Sequence, residues 1–272
     1  MTTTKVGEPS ADRTDPRRRP LVLGVVVLAM LAVAFVVGRT STRPPGPPPA
    51  QLGTALDQAV PADIRQLPLM DELGHPTNLA AFDGKIVVLT DFMTLCQEIC
   101  PITTAELNQV DDAVTKAGLA GKVQFVNITI DPERDTPARL HAYRNFANLL
   151  PNWSLLTGTP QNLALLWKYF GSSYFKQPAA DPPSIDWMTG KPLTYDIAHS
   201  DVLLYLDKAG HERFIIQGLP DGHGAPLTAG ERSFLSDTGF ANLTQNQDVT
   251  WTEPQALQVV SWLTRKHLHL AS

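Results

Sequence analysis

The chain has two cysteines, and both fall in one short stretch, DFMTLCQEICP, residues 91–101. Cys96 and Cys100 are separated by three residues. Thiol redox motifs usually place two residues between their cysteines, and structural zinc sites usually draw four ligands. Residues at i and i+4 face one way if the loop makes a single helical turn, so this pair can chelate one ion. Thiolates are soft ligands suited to Cu(I) or zinc. Pro101 fits the first turn of a helix, which sets Cys100 at a helix N-terminus, where the partial positive charge favours thiolate. The same two sulfurs can instead close a disulfide, as a redox pair or as a structural staple. A loop this short removes little chain entropy, so a staple would stabilise the fold only weakly.

A metal pair needs a third ligand, and His is the usual one. There are seven His residues. His267 and His269 lie near the C-terminus, where chains fray. His211 and His223 sit in or beside turns, His75 in a first hairpin and His141 within an expected helix; each reads as a solvated surface residue. His199 differs. It sits in YDIAHSDVLLYLD, just before an expected core strand, where a loop can approach the cysteine loop across the strand ends.

The elements that must position these groups are readable from periodicity. From about Ile64, turn signals at Asp71–Gly74 and Asp83-Gly84 bracket a short hairpin. IVVLTDF, 86–92, is β-branched and nearly all apolar, as in a buried central strand. The cysteine loop follows, then a helix with Leu107, Val110 and Val114 at helical spacing, stopped at Gly118 or Gly121. VQFVNITI, 123–130, is a second buried strand. Asp135 or Thr136 caps a helix from Pro137 to about Leu150. Trp153–Leu156 reads as a short strand and Pro160–Phe170 as a short helix. VLLYLD, 202–207, and RFIIQG, 213–218, form a hairpin about Lys208-Ala209-Gly210. The last helix is expected over 253–268. Strands separated by helices imply parallel pairs, and the closing hairpin adds antiparallel strands. The expectation is an α/β chain with a central mixed sheet flanked by helices, in a thioredoxin-like arrangement with the cysteine loop after the first core strand. Segments 171–198 and 219–250, rich in Gly, Pro, Asp, Thr and Asn, read as long irregular loops.

The N-terminus is a different material. Residues 1–20 are polar and end in Arg17, Arg18 and Arg19. LVLGVVVLAMLAVAFVVG, 21–38, carries no charge. Eighteen helical residues rise about 27 Å, close to the hydrocarbon thickness of a bilayer. We read 21–38 as a transmembrane helix, with a signal peptide cleaved after Ala32-Val33-Ala34 as the alternative. The arginines keep 1–20 in the cytoplasm, and both readings place the rest outside it, as a single-pass cell-membrane protein with an extracytoplasmic C-terminal domain. Residues 39–60, with RPPGPPPA at 43–50, read as a Pro-rich, semi-rigid linker. The globular domain is then 61–272. A net charge of −5 gives no reason to expect nucleic acid as a partner.

Three ordered motifs resemble the Sco/SenC family. FMTLCQEICP, 92–101, is similar to its C-x-x-x-C-P loop, with Glu98 at the acidic position two after the first Cys. ITIDPERDTP, 128–137, is similar to its second motif, and YDIAHS, 195–200, to its third, a His followed by Ser or Thr ahead of a strand. The likeness spans roughly 60–218 and takes in the final helix and an N-terminal anchor. It implies a thioredoxin-like copper-binding domain, with Cys96, Cys100 and His199 as ligands to Cu(I) or Cu(II), and delivery to the dinuclear copper centre of cytochrome c oxidase. The implied partners are the copper-bearing subunit of the oxidase and other copper carriers or thiol reductants. Asp131, Glu133 and Asp135 become loop and helix-cap residues behind the site; Asp196 and Asp201 acquire no role. Gln97 stands where the family often has Pro, and 219–250 is longer than the usual link to the last helix.

On this reading the chain is a chaperone and not an enzyme. The alternative is a thiol-disulfide oxidoreductase that keeps the cysteines of a respiratory or secreted protein reduced, with a redox disulfide between Cys96 and Cys100. A third reading, a peroxide-reducing enzyme, is weakened by the missing Pro ahead of Cys96.

Overall fold

Seven successive residues, Ile86–Phe92 (β4), are all buried and form the middle of the sheet. This computed structural model describes residues 44–245 and 248–270. The chain divides into a unit of Met1–Pro44 and one of Pro45–Ser272, and the second is described here. The apolar run 21–38 lies outside the described residues. Among the described residues no helix is long and apolar enough to cross a membrane.

The strands ahead of β4 are β1 (Thr54–Ala59), β2 (Leu69–Asp71) and β3 (Pro76–Thr77), with a short helix α1 (Ala62–Arg65) between the first two. After β4 come α2 (Cys100–Lys116), β5 (Val123–Thr129), α3 (Pro137–Phe146), β6 (Trp153–Gly158) and α4 (Pro160–Phe170). A two-stranded ladder, β7 (Tyr174–Pro178) and β8 (Tyr195–His199), precedes the hairpin β9 (Val202–Leu206) and β10 (His211–Gln217). The chain closes with β11 (Leu219–Pro220), α5 (Ala229–Phe234), α6 (Asp237–Gln245), β12 (Val249–Trp251) and α7 (Glu253–Thr264).

The eight-stranded sheet runs β1-β10-β9-β4-β5-β6-β2-β3. β4, β5 and β6 are parallel, and β9 lies antiparallel against β4. This is the expected mixed sheet, a parallel βαβ half joined along β4 to an antiparallel ββα half. Alternation along the strands sorts two cores. Val87 and Leu89 pack with Val126, Ile128, Leu140, Tyr143, Leu163 and Trp167 on the α3 and α4 face. Ile86 and Val88 pack with Leu107, Val110, Val114, Phe214, Leu257 and Val260 on the α2 and α7 face. A strand buried on both faces reads as a continuous apolar run, as β4 and β5 do.

Five expectations need adjustment. β1 falls within the segment read as linker, 39–60, and is an edge strand of the sheet, paired with β10. Its largely exposed TALDQA has little apolar character to announce it. Segment 171–198 is not irregular throughout: Tyr174 pairs with His199 and Pro178 with Tyr195. Segment 219–250 contains two helices. α5 opens on a capping box in which the Thr228 hydroxyl accepts from the Glu231 N–H and the Glu231 carboxylate accepts from the Thr228 N–H. The helix from Pro137 ends at Phe146, short of Leu150, just before Asn148 turns left-handed at φ 49°. The last helix ends at Thr264, with Arg265 left-handed at φ 57°.

Candidate metal centre

The parallel-to-antiparallel switch at β4 brings the candidate ligands together. β4 ends at Phe92 and delivers the cysteine loop. Because β9 runs antiparallel to β4, the start of β9 lies beside that same end, and Thr90 Oγ donates to the Val202 carbonyl at 2.8 Å. The last residue of β8, His199, is therefore carried to the loop.

Within the loop a tight turn forms where the Cys96 N–H donates to the Met93 carbonyl at 3.2 Å. The Cys100 N–H then donates to Cys96 Sγ at 3.3 Å as α2 begins. The two sulfurs are free thiols, and both are buried. His199 Nε2 lies 3.5 Å from Cys100 Sγ. The ligand atoms of Cys96, Cys100 and His199 all lie within 4.8 Å of one another. The other six His residues join no such group among the described residues. Two soft sulfurs and one imidazole nitrogen at this separation fit a single soft or borderline ion, and Cu(I) in particular.

The electrostatics favour an ionised Cys96. The Cys100 side chain, donating to Cys96 Sγ, holds the Cys96 thiol well below its ordinary range, against burial and with help from His199. Burial, followed by the neighbouring Cys96, pushes the Cys100 thiol well above it. Burial alone would lower the His199 pKa, but the Asp91 carboxylate and Cys96 outweigh it and raise it. These shifts favour negative charge on Cys96 and positive charge on His199, and any proton still held by a ligand must leave for a metal to load.

Asp91 was not anticipated as a site residue. Its side chain is 0% exposed and that of His199 is 5% exposed, with Asp91 Oδ2 3.5 Å from His199 Nδ1. Asp91 also accepts from Ser172 Oγ at 2.5 Å and from the Val202 N–H at 3.1 Å. His199 Nδ1 lies 3.0 Å from the Ser200 carbonyl. Carboxylate and carbonyl together hold the Nδ1 edge, which leaves Nε2 for the sulfurs. A carboxylate inside an otherwise apolar strand is the signal that could have found it, since such a group requires partners.

Three further parts of the chain grip the loop. Asp135, fully buried, accepts from Thr129 Oγ at 2.6 Å and from both the N–H and the hydroxyl of Thr94. Burial, with Asp131 adding to it, pushes the Asp135 carboxyl up to about 6. The second motif therefore anchors the loop from behind. Asp131 accepts from Tyr195 Oη at 2.8 Å and pairs with Arg134, while Glu133 pairs with Lys176 at 2.5 Å, away from the ligands. From segment 171–198, Trp187 Nε1 donates to the Thr94 carbonyl at 2.8 Å. From segment 219–250, the Ser236 N–H donates to the Gln97 carbonyl at 3.0 Å. Gly239 sits so close that a Cβ there would lie 2.0 Å from Gln97 O.

A cleft of about 460 Å³ opens beside the ligands. Cys96 and His199 line it, as do Glu98, Asp196 and Asp201, and α6 contributes Thr238 and Asn242. Asp196 accepts from the Ala180 N–H at 3.0 Å.

The sheet and the cysteine–histidine cluster define a thioredoxin-like chain carrying a thiolate–imidazole site. The chain belongs to the SCO1/SenC family, whose model matches residues 61–220. It is 32% identical over 108 residues to a Stutzerimonas stutzeri protein assigned as copper-binding, a match covering 40% of this chain and 52% of that protein. It is 34% identical over 96 residues to the mitochondrial SCO2 homologue of Mus musculus, covering 35% of this chain and 37% of that one. The matched part thus spans about half or less of these relatives' own length. Similar solved structures include a SCO1/SenC family lipoprotein from Bacillus anthracis, with 24% identity, a TM-score of 0.48, and coverage of 66% of this chain and 95% of that one. Another is Bradyrhizobium japonicum ScoI with copper bound, with 24% identity, a TM-score of 0.45, and coverage of 61% and 94%.

Proposed function

We propose that this chain is a membrane-anchored, extracytoplasmic copper chaperone that binds copper through Cys96, Cys100 and His199 and passes it to the dinuclear copper centre of cytochrome c oxidase. The observation that carries the reading is the convergence of two free thiols and one imidazole within 4.8 Å at a strand end. Membership of the family supports it, as does the copper-binding assignment of a relative. Copper is cargo on this reading. Cys96 and His199 border a cleft, so a partner's ligands have a route by which to displace them. Anchoring rests on the uncharged run 21–38, and the partners are the copper-bearing oxidase subunit together with copper carriers or thiol reductants that load or reset the site.

The test is a competition titration of the reduced, detergent-solubilised full chain with Cu(I), repeated with His199→Ala. Loss of a partner that only supports a metal ligand typically costs about 10–100-fold in affinity. Removal of a direct ligand should cost at least that. Unchanged affinity in the variant would sink the chaperone site.

The lowered Cys96 thiol beside Cys100 favours a second reading, thiol-disulfide oxidoreductase, because thiolate is the attacking species. That activity predicts catalytic reduction of a protein disulfide, with His199→Ala nearly as active as wild type.

A further inference from the structure

The two clasps on the cysteine loop meet at one aromatic ring. Phe146, the last residue of α3, stacks on Trp187 with ring centroids 4.3 Å apart, and Trp187 donates to the Thr94 carbonyl. Helix α5 packs on the same ring. Phe234 meets it edge-on at 6.3 Å, and a Cβ on Gly230 would lie 2.8 Å from it. The Thr228 hydroxyl, ahead of α5, donates to the Phe146 carbonyl at 2.9 Å. Two residues past α5, the Ser236 N–H holds the Gln97 carbonyl. The seating of α5 therefore bears on how firmly the loop is held.

Glu231 lies inside this seat and is 1% exposed. Its Oε2 accepts from the Thr228 N–H at 2.8 Å, whereas its Oε1 is shut off from solvent and has no hydrogen-bond partner. The titratable group that acts with it from another element is Tyr143 of α3. That hydroxyl is also buried and without a hydrogen-bond partner, and burial, followed by the Glu231 charge, pushes its pKa up. Among the described residues no lysine, arginine or histidine offsets the Glu231 charge. A buried carboxylate with one bare oxygen and no cation is costlier than the neutral acid. Seated α5 thus favours the proton, and opening, which lets water reach Oε1, favours the charge.

We propose that Glu231 is a pH-sensitive latch on the cysteine loop: neutral, it keeps α5 seated on Phe146; ionised, it loosens α5 and with it the hold on Gln97. That the latch gates copper exchange rests on the chaperone reading above; the latch itself does not. Burial, opposed by the Thr228 N–H and hydroxyl, pushes the Glu231 carboxyl up to about 7. The seated pKa lies above the value of about 4.3 for a solvated Glu. Seating is therefore fully favoured below pH ~4.3 and loses ground as pH rises through about 7. With these two values the seated-to-open ratio falls about tenfold between pH 6 and pH 8.

The experiment uses the reduced, metal-free full chain in detergent, as wild type and Glu231→Gln. Glutamine keeps the capping box and cannot ionise. Hydrogen exchange mass spectrometry follows residues 228–240 at pH 6 and pH 8, corrected for intrinsic exchange, and alkylation of the cysteines by iodoacetamide is timed in the same samples. Wild-type protection should fall about tenfold from pH 6 to pH 8, and that of Glu231→Gln should change less than about threefold. The ratio of wild-type to variant alkylation rates should rise over the same interval. Equal pH dependence of protection in the two proteins would overturn the latch. An alkylation ratio that stays flat would also overturn it, because the loop would then be held independently of α5. If the variant misfolds, a carbon-13 titration of the Glu231 carboxyl in wild type decides: a midpoint of about 7 supports the latch, and one below about 5 overturns it. Every readout is taken without metal, so failure here does not touch the chaperone reading, and failure to bind Cu(I) does not touch the latch.

Discussion

Gly239 offers the sharpest test of whether the segment after β11 serves the metal loop. A Cβ at this position would stand 2.0 Å from Gln97 O and 3.0 Å from both Gln97 C and Glu98 Cα. A carbon normally approaches a carbonyl oxygen no closer than about 3.3 Å. Gly239→Ala must therefore open roughly 1.3 Å between α6 and the backbone next to Cys96. No flexible side chain can absorb the shift, since the three nearest atoms are all backbone. Two energies compete. Alanine in place of glycine favours a helix interior by about 0.8–1 kcal/mol. Overpacking costs about 1–3 kcal/mol, and the Ser236–Gln97 hydrogen bond that the shift breaks adds about 1 kcal/mol. The net loss is about 1–3 kcal/mol, a fall in Tm of several degrees for a chain of this size. Displacement of the loop should lower Cu(I) affinity at least about tenfold. It should also speed hydrogen exchange at the amides of residues 97–100. Gly121→Ala is the control, since a Cβ there meets nothing within 4 Å. Wild-type Cu(I) affinity in Gly239→Ala, together with a raised Tm, would show that propensity alone decides and that α6 does not hold the loop.

Other predictions follow from buried carboxyls. Asp91→Asn keeps side-chain size but removes the charge facing His199 Nδ1; Cu(I) affinity should fall about 10–100-fold, and the His199 ring resonances in nitrogen-edited NMR should show a changed tautomer or orientation. Glu106 is 1% exposed, and burial, followed by the adjacent Glu253, pushes its carboxyl up to about 9. Its folded pKa lies above the unfolded value of about 4.3, so the folded state keeps a proton that the unfolded state has lost. Its contribution to stability is therefore full below pH ~4.3 and falls as pH rises toward 9. Glu106→Gln should flatten that fall, gaining on wild type in urea unfolding at pH 8 and not at pH 4; equal pH slopes for the two proteins would refute the burial argument.

How far the sequence led depended on which force shaped each part. β4 and β5 are buried on both faces, so apolar runs announced them, and Pro160–Phe170 is bracketed by Thr159, whose hydroxyl caps the helix, and by left-handed Gly171. His199 was legible because it precedes a strand as apolar as VLLYL. What stayed hidden rests on long-range contact. Asp91 acquires its role only through His199, Ser172 and Val202, which surround it in the fold. Trp187 and Gly239 act on the loop through single backbone contacts 93 and more residues away in sequence, which periodicity does not register. The helices of 219–250 are short and polar in composition, yet Thr228 and Glu231 spell a capping box that a closer reading of local signals would have found.

The separation of 99 positions from Cys100 to His199 also sets a timetable for synthesis. At roughly 5–20 residues per second, a chain made from its N-terminus displays the thiol pair for about 5–20 s before the imidazole exists. The clasp from Ser236 arrives later still, since it lies 139 residues beyond Gln97. During that interval the nascent chain carries two neighbouring thiols without the groups that later bury and orient them. Whatever safeguards them against oxidation or a mistaken ion must act on the growing polypeptide, because the finished pocket is assembled almost last.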